Sequence, residues 1–121
     1  MVERAASIAY SRWMSPEAAL NALAALAHPT RLETFRLLVR HEPTGLSTGQ
    51  MADAIGLTQS TFSSHLAVLA KAGLVTSSKH GRQMIQRADL DALRALLLFL
   101  AKDCCGGRAE LCTPLIADLT C

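Results

Sequence analysis

Apolar residues recur along this chain at helical spacing in separate blocks, each bounded by residues that start or stop a helix. Phe62, Leu66 and Leu69 stand at i, i+4 and i+7, a buried stripe on a helix that Thr58 caps. That helix runs to Ala72, with Gly73 as its stop. Just upstream, Ser47 and Gln50 have the spacing of a capping box, in which side chain and backbone satisfy each other's orphan groups. This predicts a first helix from Thr48 to about Ile55 that buries Met51 and Ile55, ended by a left-handed Gly56. Residues 47–73 therefore read as two short helices joined by a tight turn.

Before them, Ser15-Pro16-Glu17 is a helix start: an N-cap, a proline at the first helical position and an acid near the positive dipole end. Leu20, Leu23, Leu26 and Ala27 form the expected stripe of this helix, which ends at His28. Pro29 opens the next, Thr30 to about His41, with Leu32, Phe35, Leu38 and Val39 as its core face. Arg31 and Arg36 lie away from that face, and Glu42-Pro43-Thr44-Gly45 is a turn. Residues 2–14 carry only a faint helical pattern.

After Gly73 the period falls to two. Leu74 to Ser78 and Gln83 to Arg87 are β-prone and flank Lys79-His80-Gly81-Arg82, a hairpin with a basic tip. Asp89 caps a last long helix, Leu90 to about Asp103, with Leu90, Leu93, Leu97 and Leu100 on one face. Leu96, Leu98 and Phe99 make it apolar almost all round. So small a domain cannot hide every side of such a helix, which predicts that part of it packs against a second copy. The expected fold class is mainly α with a small β-hairpin: a winged helix-turn-helix, dimeric. A single domain covers residues 1–121, with the helix-turn-helix at 47–73, the wing at 74–88, a dimerisation helix at 89–103 and a thiol-bearing C-terminal segment at 104–121.

A length of 121 residues suits one core and no more. Aromatics at 4% argue against a single-strand binder built on stacking platforms. With a net charge of only +2, affinity for a polyanion must come from local placement and from dimerisation. The N-terminal residues lack an apolar signal core, and the longest apolar run, Ala95 to Ala101, falls far below the roughly 18 residues of a membrane span. The expected location is the cytoplasm, where thiols stay reduced. The four cysteines then read as ligands or reactive thiols rather than disulfide partners.

The chemistry lies on the outer face of the second short helix. That face carries Ser60, Ser63, Ser64, Ala67 and Lys71, with Gln59 at its N-terminal edge. Ordinary exposed helix faces favour Glu, Lys and Arg. Short hydroxyls and an amide suit a helix lying in the major groove, where Gln bonds adenine bidentately and Ser or Thr bonds several bases. Candidate DNA contacts are Gln59, Ser60, Thr61, Ser63, Ser64, His65 and Lys71 from the helix. Lys79, His80, Arg82 and Arg87 of the wing are candidate phosphate contacts. Taken singly, each of those charges could serve solubility alone. His28 and His65 read as helix-end or packing residues rather than metal ligands, with His65 also placed for a hydrogen bond at the DNA.

With these motifs in place, the chain resembles the ArsR-type (ArsR/SmtB) metalloregulatory winged-helix repressors. The resemblance covers about Leu20 to Leu100. It rests on Leu26-Ala27-His28-Pro29-Thr30-Arg31-Leu32, on Leu57 to Leu66, on Leu69-Ala70-Lys71-Ala72-Gly73-Leu74-Val75, and on the tip Lys79-His80-Gly81-Arg82. It implies dimeric operator binding that a metal or metalloid ion releases. Two of the family's inducer sites do not carry over. Many arsenic-responsive members hold a cysteine pair where this chain has Leu46-Ser47-Thr48-Gly49-Gln50. Asp89 and Asp91 could stand for half of the zinc-type site, but no histidine follows on that helix.

A substitute stands at Asp103-Cys104-Cys105-Gly106-Gly107-Arg108-Ala109-Glu110-Leu111-Cys112. Adjacent cysteines on a regular helix point about 100° apart. At a fraying helix end before two glycines, both sulfurs can face one ion and Cys112 can fold back to join them. Three thiolates without a histidine make a soft, three-coordinate site. Zinc usually takes a fourth ligand, whereas trivalent arsenic or antimony is satisfied by three sulfurs. The pattern also resembles a branch of the family whose arsenic thiols lie at the C-terminal end of the dimerisation helix. The expected metal ligands are Cys104, Cys105 and Cys112, with As(III) as inducer and Sb(III) as its variant; Cys121 is left out. The expected function is an arsenic(III)-responsive repressor that binds operator DNA as a homodimer. Two alternatives stay open: a redox switch joining Cys104 or Cys105 to Cys112, and a sensor of antimony, cadmium or zinc. An enzyme is not expected, for there is no Cys-x-x-Cys, no nucleophile-and-base arrangement and no cofactor loop.

Overall fold

Each of the five main described helices begins at a side chain that accepts one of its orphan N–H groups. The computed structural model describes residues 14–101, 113–114 and 117–119. In chain order its main elements are α1 (Pro16–Leu26), α2 (Pro29–Arg40), β1 (Leu46–Ser47), α3 (Thr48–Ile55), α4 (Gln59–Lys71), β2 (Val75–His80), β3 (Gln83–Ala88) and α5 (Leu90–Ala101). Ser15 Oγ accepts from the Ala18 N–H at 3.1 Å, and Thr58 Oγ1 accepts from the Thr61 N–H at 3.3 Å. Asp89 Oδ1 accepts from the Ala92 N–H at 3.0 Å. At Ser47 the capping box is complete in both directions, at 3.2 and 2.9 Å. The α2 cap comes instead from His28, whose Nδ1 accepts the Thr30 N–H at 3.1 Å.

The core gathers Phe35, Leu38, Met51, Phe62, Leu66, Leu69 and Leu74 around the three alanines Ala19, Ala22 and Ala25. Those alanines correct the expected α1 stripe. Leu20 is 66% and Leu23 38% exposed, while Leu26 is partly buried. Helix α1 lies against α2, α4 and α5 at once, and side chains reduced to a methyl group let it sit close to all three. On α2 the buried residues are Thr34, Phe35 and Leu38, and Leu32, expected inside, falls on the flank at 46% exposure. Thr34 Oγ1 donates to the Thr30 carbonyl at 2.7 Å, so its hydroxyl is buried without being left unpaired.

Helix α5 differs from expectation in the same way. It faces the core through Leu96, with Ala92 and Leu93 beside it, whereas Leu90, Leu97, Leu98, Phe99 and Leu100 are exposed. Its main neighbour is α1, so the two packed helices together leave a large apolar surface uncovered.

The sheet has three antiparallel strands in the order β1-β3-β2. The hairpin turn is tighter than expected. Lys79 and His80 belong to β2, with His80 opposite Gln83, and only Gly81 and Arg82 make the turn. A two-residue turn with positive φ matches the twist of its strands, and Gly81 has a φ of 65°. The third strand, β1, pairs Leu46 with Gln86 and Ser47 with Ile85, so the wing joins the residues that cap α3.

Gly45, just before β1, combines a φ of +78° with a backbone that touches β3: a Cβ there would lie 2.5 Å from the Gln86 carbonyl oxygen and 2.7 Å from Arg87 Cγ. Gly56, with a φ of +88°, has nothing within 4 Å of the same position. Gly45→Ala is therefore expected to cost about 2–5 kcal/mol, strain plus overpacking, and Gly56→Ala only about 1–2. Urea unfolding of the two variants beside the parent measures both.

Candidate nucleic-acid interface

The Ala52 carbonyl ends α3 by accepting both the Gly56 N–H, at 2.9 Å, and the Leu57 N–H, at 3.0 Å. The chain turns there, and Thr58 starts α4. Phe62 and Leu69 are wholly buried and Leu66 nearly so. That leaves Gln59, Ser60, Thr61, Ser63, Ser64, Ala67 and Lys71 exposed. Among the described residues the side chains of Gln59, Ser60, Ser63 and Ser64 have no hydrogen-bond partner of their own, so they are free for an incoming ligand. Thr61 Oγ1 accepts from the Thr58 hydroxyl at 3.0 Å and keeps its own O–H to donate. No acid occurs in α4, so the positive end of its dipole is uncompensated and favours an approaching phosphate.

Two expected contacts stand at the edges of this face. Exposed Lys71, at the C-terminal end of the serine face, also lines a groove with Asn21, Ala24, Ala25, Arg31, Val68 and Ala72 beside α1. His65 is half-buried. Its ring lies 4.5 Å from that of His28, and its Nδ1 is 3.5 Å from Arg31 Nη1. Burial first, then the neighbouring His28 and Arg31, holds the His65 pKa below the ordinary histidine value. Arg31, expected only to lie off the core stripe, ties α1 to α2: its Nε donates to the Ala25 carbonyl at 2.6 Å.

On the wing, Lys79, His80 and Arg82 are exposed as expected. Arg87 is not a free phosphate contact. Its Nη2 and Nε donate to the two carboxylate oxygens of Glu42 at 2.7 and 3.2 Å. The hydrogen bond from Arg87 holds the Glu42 carboxyl below its usual range, and Glu42 in turn raises the Arg87 pKa. Forty-five residues separate the two in sequence, so no local pattern announces the pair.

Cys104, Cys105, Cys112 and Cys121 lie outside the described residues, as do residues 2–13 with their faint helical pattern. Among the described residues no three His, Cys, Asp or Glu side chains cluster as a metal site would require, and Asp89 is engaged in capping α5. No described helix is long and apolar enough to cross a membrane.

A family model described as a helix-turn-helix domain matches residues 26–78. The biofilm growth-associated repressor of Xylella fastidiosa is 36% identical over 67 residues, covering 55% of this chain and 56% of its own. This chain thus spans little more than half the length of that repressor. A solved structure of a possible transcriptional regulator for arsenical resistance is 33% identical, with a TM-score of 0.59 over 83% of this chain and 97% of that one. A homodimeric winged helix-turn-helix DNA-binding domain from Mycobacterium bovis, described as a possible ArsR-family regulator, is 27% identical. Its TM-score is 0.58 over 72% of this chain and 81% of that one.

The position of His65 carries a pH prediction. Its pKa is lowered from 6.5, so between that value and the folded one the unfolded chain binds more protons. Stability therefore falls as pH drops through this window, and the loss is complete below the folded pKa. Thermal melts between about pH 8 and 5 are expected to show a smaller acid-induced loss for His65→Gln than for the parent.

Proposed function

The chain belongs to the ArsR-type family of winged-helix transcriptional regulators, and from that premise we propose that it is an arsenic-responsive repressor. In this reading it binds duplex operator DNA as a homodimer in the cytoplasm and lets go when trivalent arsenic binds Cys104, Cys105 and Cys112. The family is one of DNA-binding regulators rather than enzymes. One observation carries the DNA reading: the acid-free, hydroxyl-rich face of α4 stands exposed, its opposite face locked into the core, with Lys79 and Arg82 exposed on the hairpin that follows.

Each part then has a role. Gln59, Ser60, Ser63 and Ser64 meet base edges, with the Thr61 hydroxyl at the helix start. Lys79, His80 and Arg82 meet the phosphate backbone. His65 packs against His28 and Arg31 at the start of α2 and steadies the flank of the helix, while exposed Lys71 adds a cation at its C-terminal end. The uncovered leucines of α1 and α5 support a dimer, as does the homodimeric M. bovis domain. Such a dimer must set its two α4 helices about 34 Å apart to enter successive major grooves.

Release by arsenic is supported by the chemistry of three soft thiolates beside two glycines. It is supported also by the similarity to the possible regulator of arsenical resistance. The ion lowers operator affinity only if it binds the DNA-free form more tightly, and a coupling of about 1–3 kcal/mol suffices. Because the ligands are thiolates, binding releases protons.

A gel shift on the DNA upstream of the gene tests the reading. The reduced dimer is expected to shift the duplex and arsenite to release it. Cys104→Ser, Cys105→Ser and Cys112→Ser should each keep the shift and lose the release. Release of the triple variant by arsenite would remove the thiols from the account; release by peroxide but not by arsenite would make them a redox switch. On the DNA side, Gln59→Ala or Ser63→Ala should weaken specific binding with little change in salt dependence. Arg82→Ala should flatten the salt slope by about 0.9 for each phosphate it no longer neutralises.

A further inference from the structure

Three polar side chains are buried among the described residues: Thr34, Ser47 and Gln86. Thr34 is satisfied within its own helix. The other two stand together where the wing meets α3. Gln86 is only 4% exposed, in the central strand of the sheet, with Leu46 of β1 on one side and Ser77 of β2 on the other. Its Oε1 accepts the Ser77 hydroxyl, and its Nε2 donates to Thr48 Oγ1 at 3.2 Å. One buried amide thus touches the other wing strand and the first residue of α3. The α3 cap, Ser47, pairs with Ile85 next to it.

Burying an amide costs free energy unless its hydrogen bonds are made, and an apolar side chain of that shape would serve packing at less risk. What a satisfied buried network adds is one preferred geometry. The geometry at stake is the angle of the wing. A two-stranded ribbon is pliant by itself, and only the two-residue pairing of β1 ties this one by main chain to α3. Arg82 stands four residues along the strand from Gln86, about 13 Å away at the rise of a β-strand. A tilt of about 15° at the base would displace the tip by about 3 Å, enough to break a hydrogen bond to phosphate. The bidentate Arg87–Glu42 pair at the same base does not replace this tie, because it joins β3 to the turn between α2 and β1 and not to α3.

We propose that Gln86 is a positioning residue for operator binding, fixing through Thr48 and Ser77 the angle of the wing so that Arg82 reaches phosphate while α4 reads bases. This rests on the DNA reading above. Gln86→Met keeps the length and burial of the side chain and removes the relay; Thr48→Val removes only the acceptor. The probe is a duplex of about 30 base pairs, selected in vitro with the parent chain and long enough for two half-sites a turn apart. Binding is followed by fluorescence anisotropy across a potassium chloride series.

Both variants are expected to melt in one transition and to bind about tenfold more weakly than the parent. Their salt slope should be shallower by about one unit per protomer, the signature of one phosphate left without its cation. Arg82→Ala should then cost little in the Gln86→Met background although it weakens the parent, a non-additivity that a merely structural role would not produce. Unchanged salt slopes, with Arg82→Ala equally costly in both backgrounds, would overturn the proposal while leaving DNA binding intact. A parent chain that selects no duplex and shows no salt-dependent binding would instead overturn the DNA reading, and this inference with it.

Discussion

Phe62, Leu66 and Leu69 leave α4 only one way to lie. Each is buried, and burying such a side chain contributes about 1.5–3 kcal/mol, so a rotation of the helix that exposed them would consume much of the stability of so small a domain. Everything on the opposite face follows from that constraint. Gln59, Ser60, Ser63 and Ser64 are outside because the stripe is inside, and their freedom from internal partners leaves them available to a ligand. The caps sharpen the arrangement. Thr58 fixes where α4 starts, and the Ser47–Gln50 box fixes where α3 starts, so the turn at Gly56 has little room to slide.

Much of this was legible in the chain because it is local. A cap acts over three residues and an amphipathic stripe over two turns, so the helix-turn-helix, the hairpin and the start of α5 can be read within short windows. What depends on distance could not be read that way. The alanine face of α1 is intelligible only once α2, α4 and α5 are known to crowd it, because leucine is otherwise the better guess for a core. A strand of two residues carries no period, so β1 was invisible. The Glu42–Arg87 pair and the His28–His65 contact each join segments far apart, and they redirect an arginine and a histidine that composition alone would assign to DNA. Gln86 is the clearest such case: in a strand of alternating type it looks like a solvated residue, and it is buried.

The modest net charge of +2 now has a spatial reading. Arg87 is neutralised by Glu42, and Arg31 is bonded to backbone carbonyls of α1. The cations left unengaged include Lys79 and Arg82, on the hairpin that follows α4. Nucleic-acid affinity of such a chain rests on placement and on doubling of the site, not on a global field. The uncovered leucines of α1 and α5 offer the surface for that doubling. The proposed thiol site follows α5 closely in sequence, so an ion held there would act next to the helix proposed to join the two copies.

Hydroxyl-radical footprinting of the reduced, ion-free protein on the DNA upstream of its gene tests the central claim most directly. The account predicts two protected patches on one face of the duplex, their centres about 10 base pairs apart, one for each α4 helix. Uniform cleavage across that region at protein concentrations that saturate a dimer would contradict it.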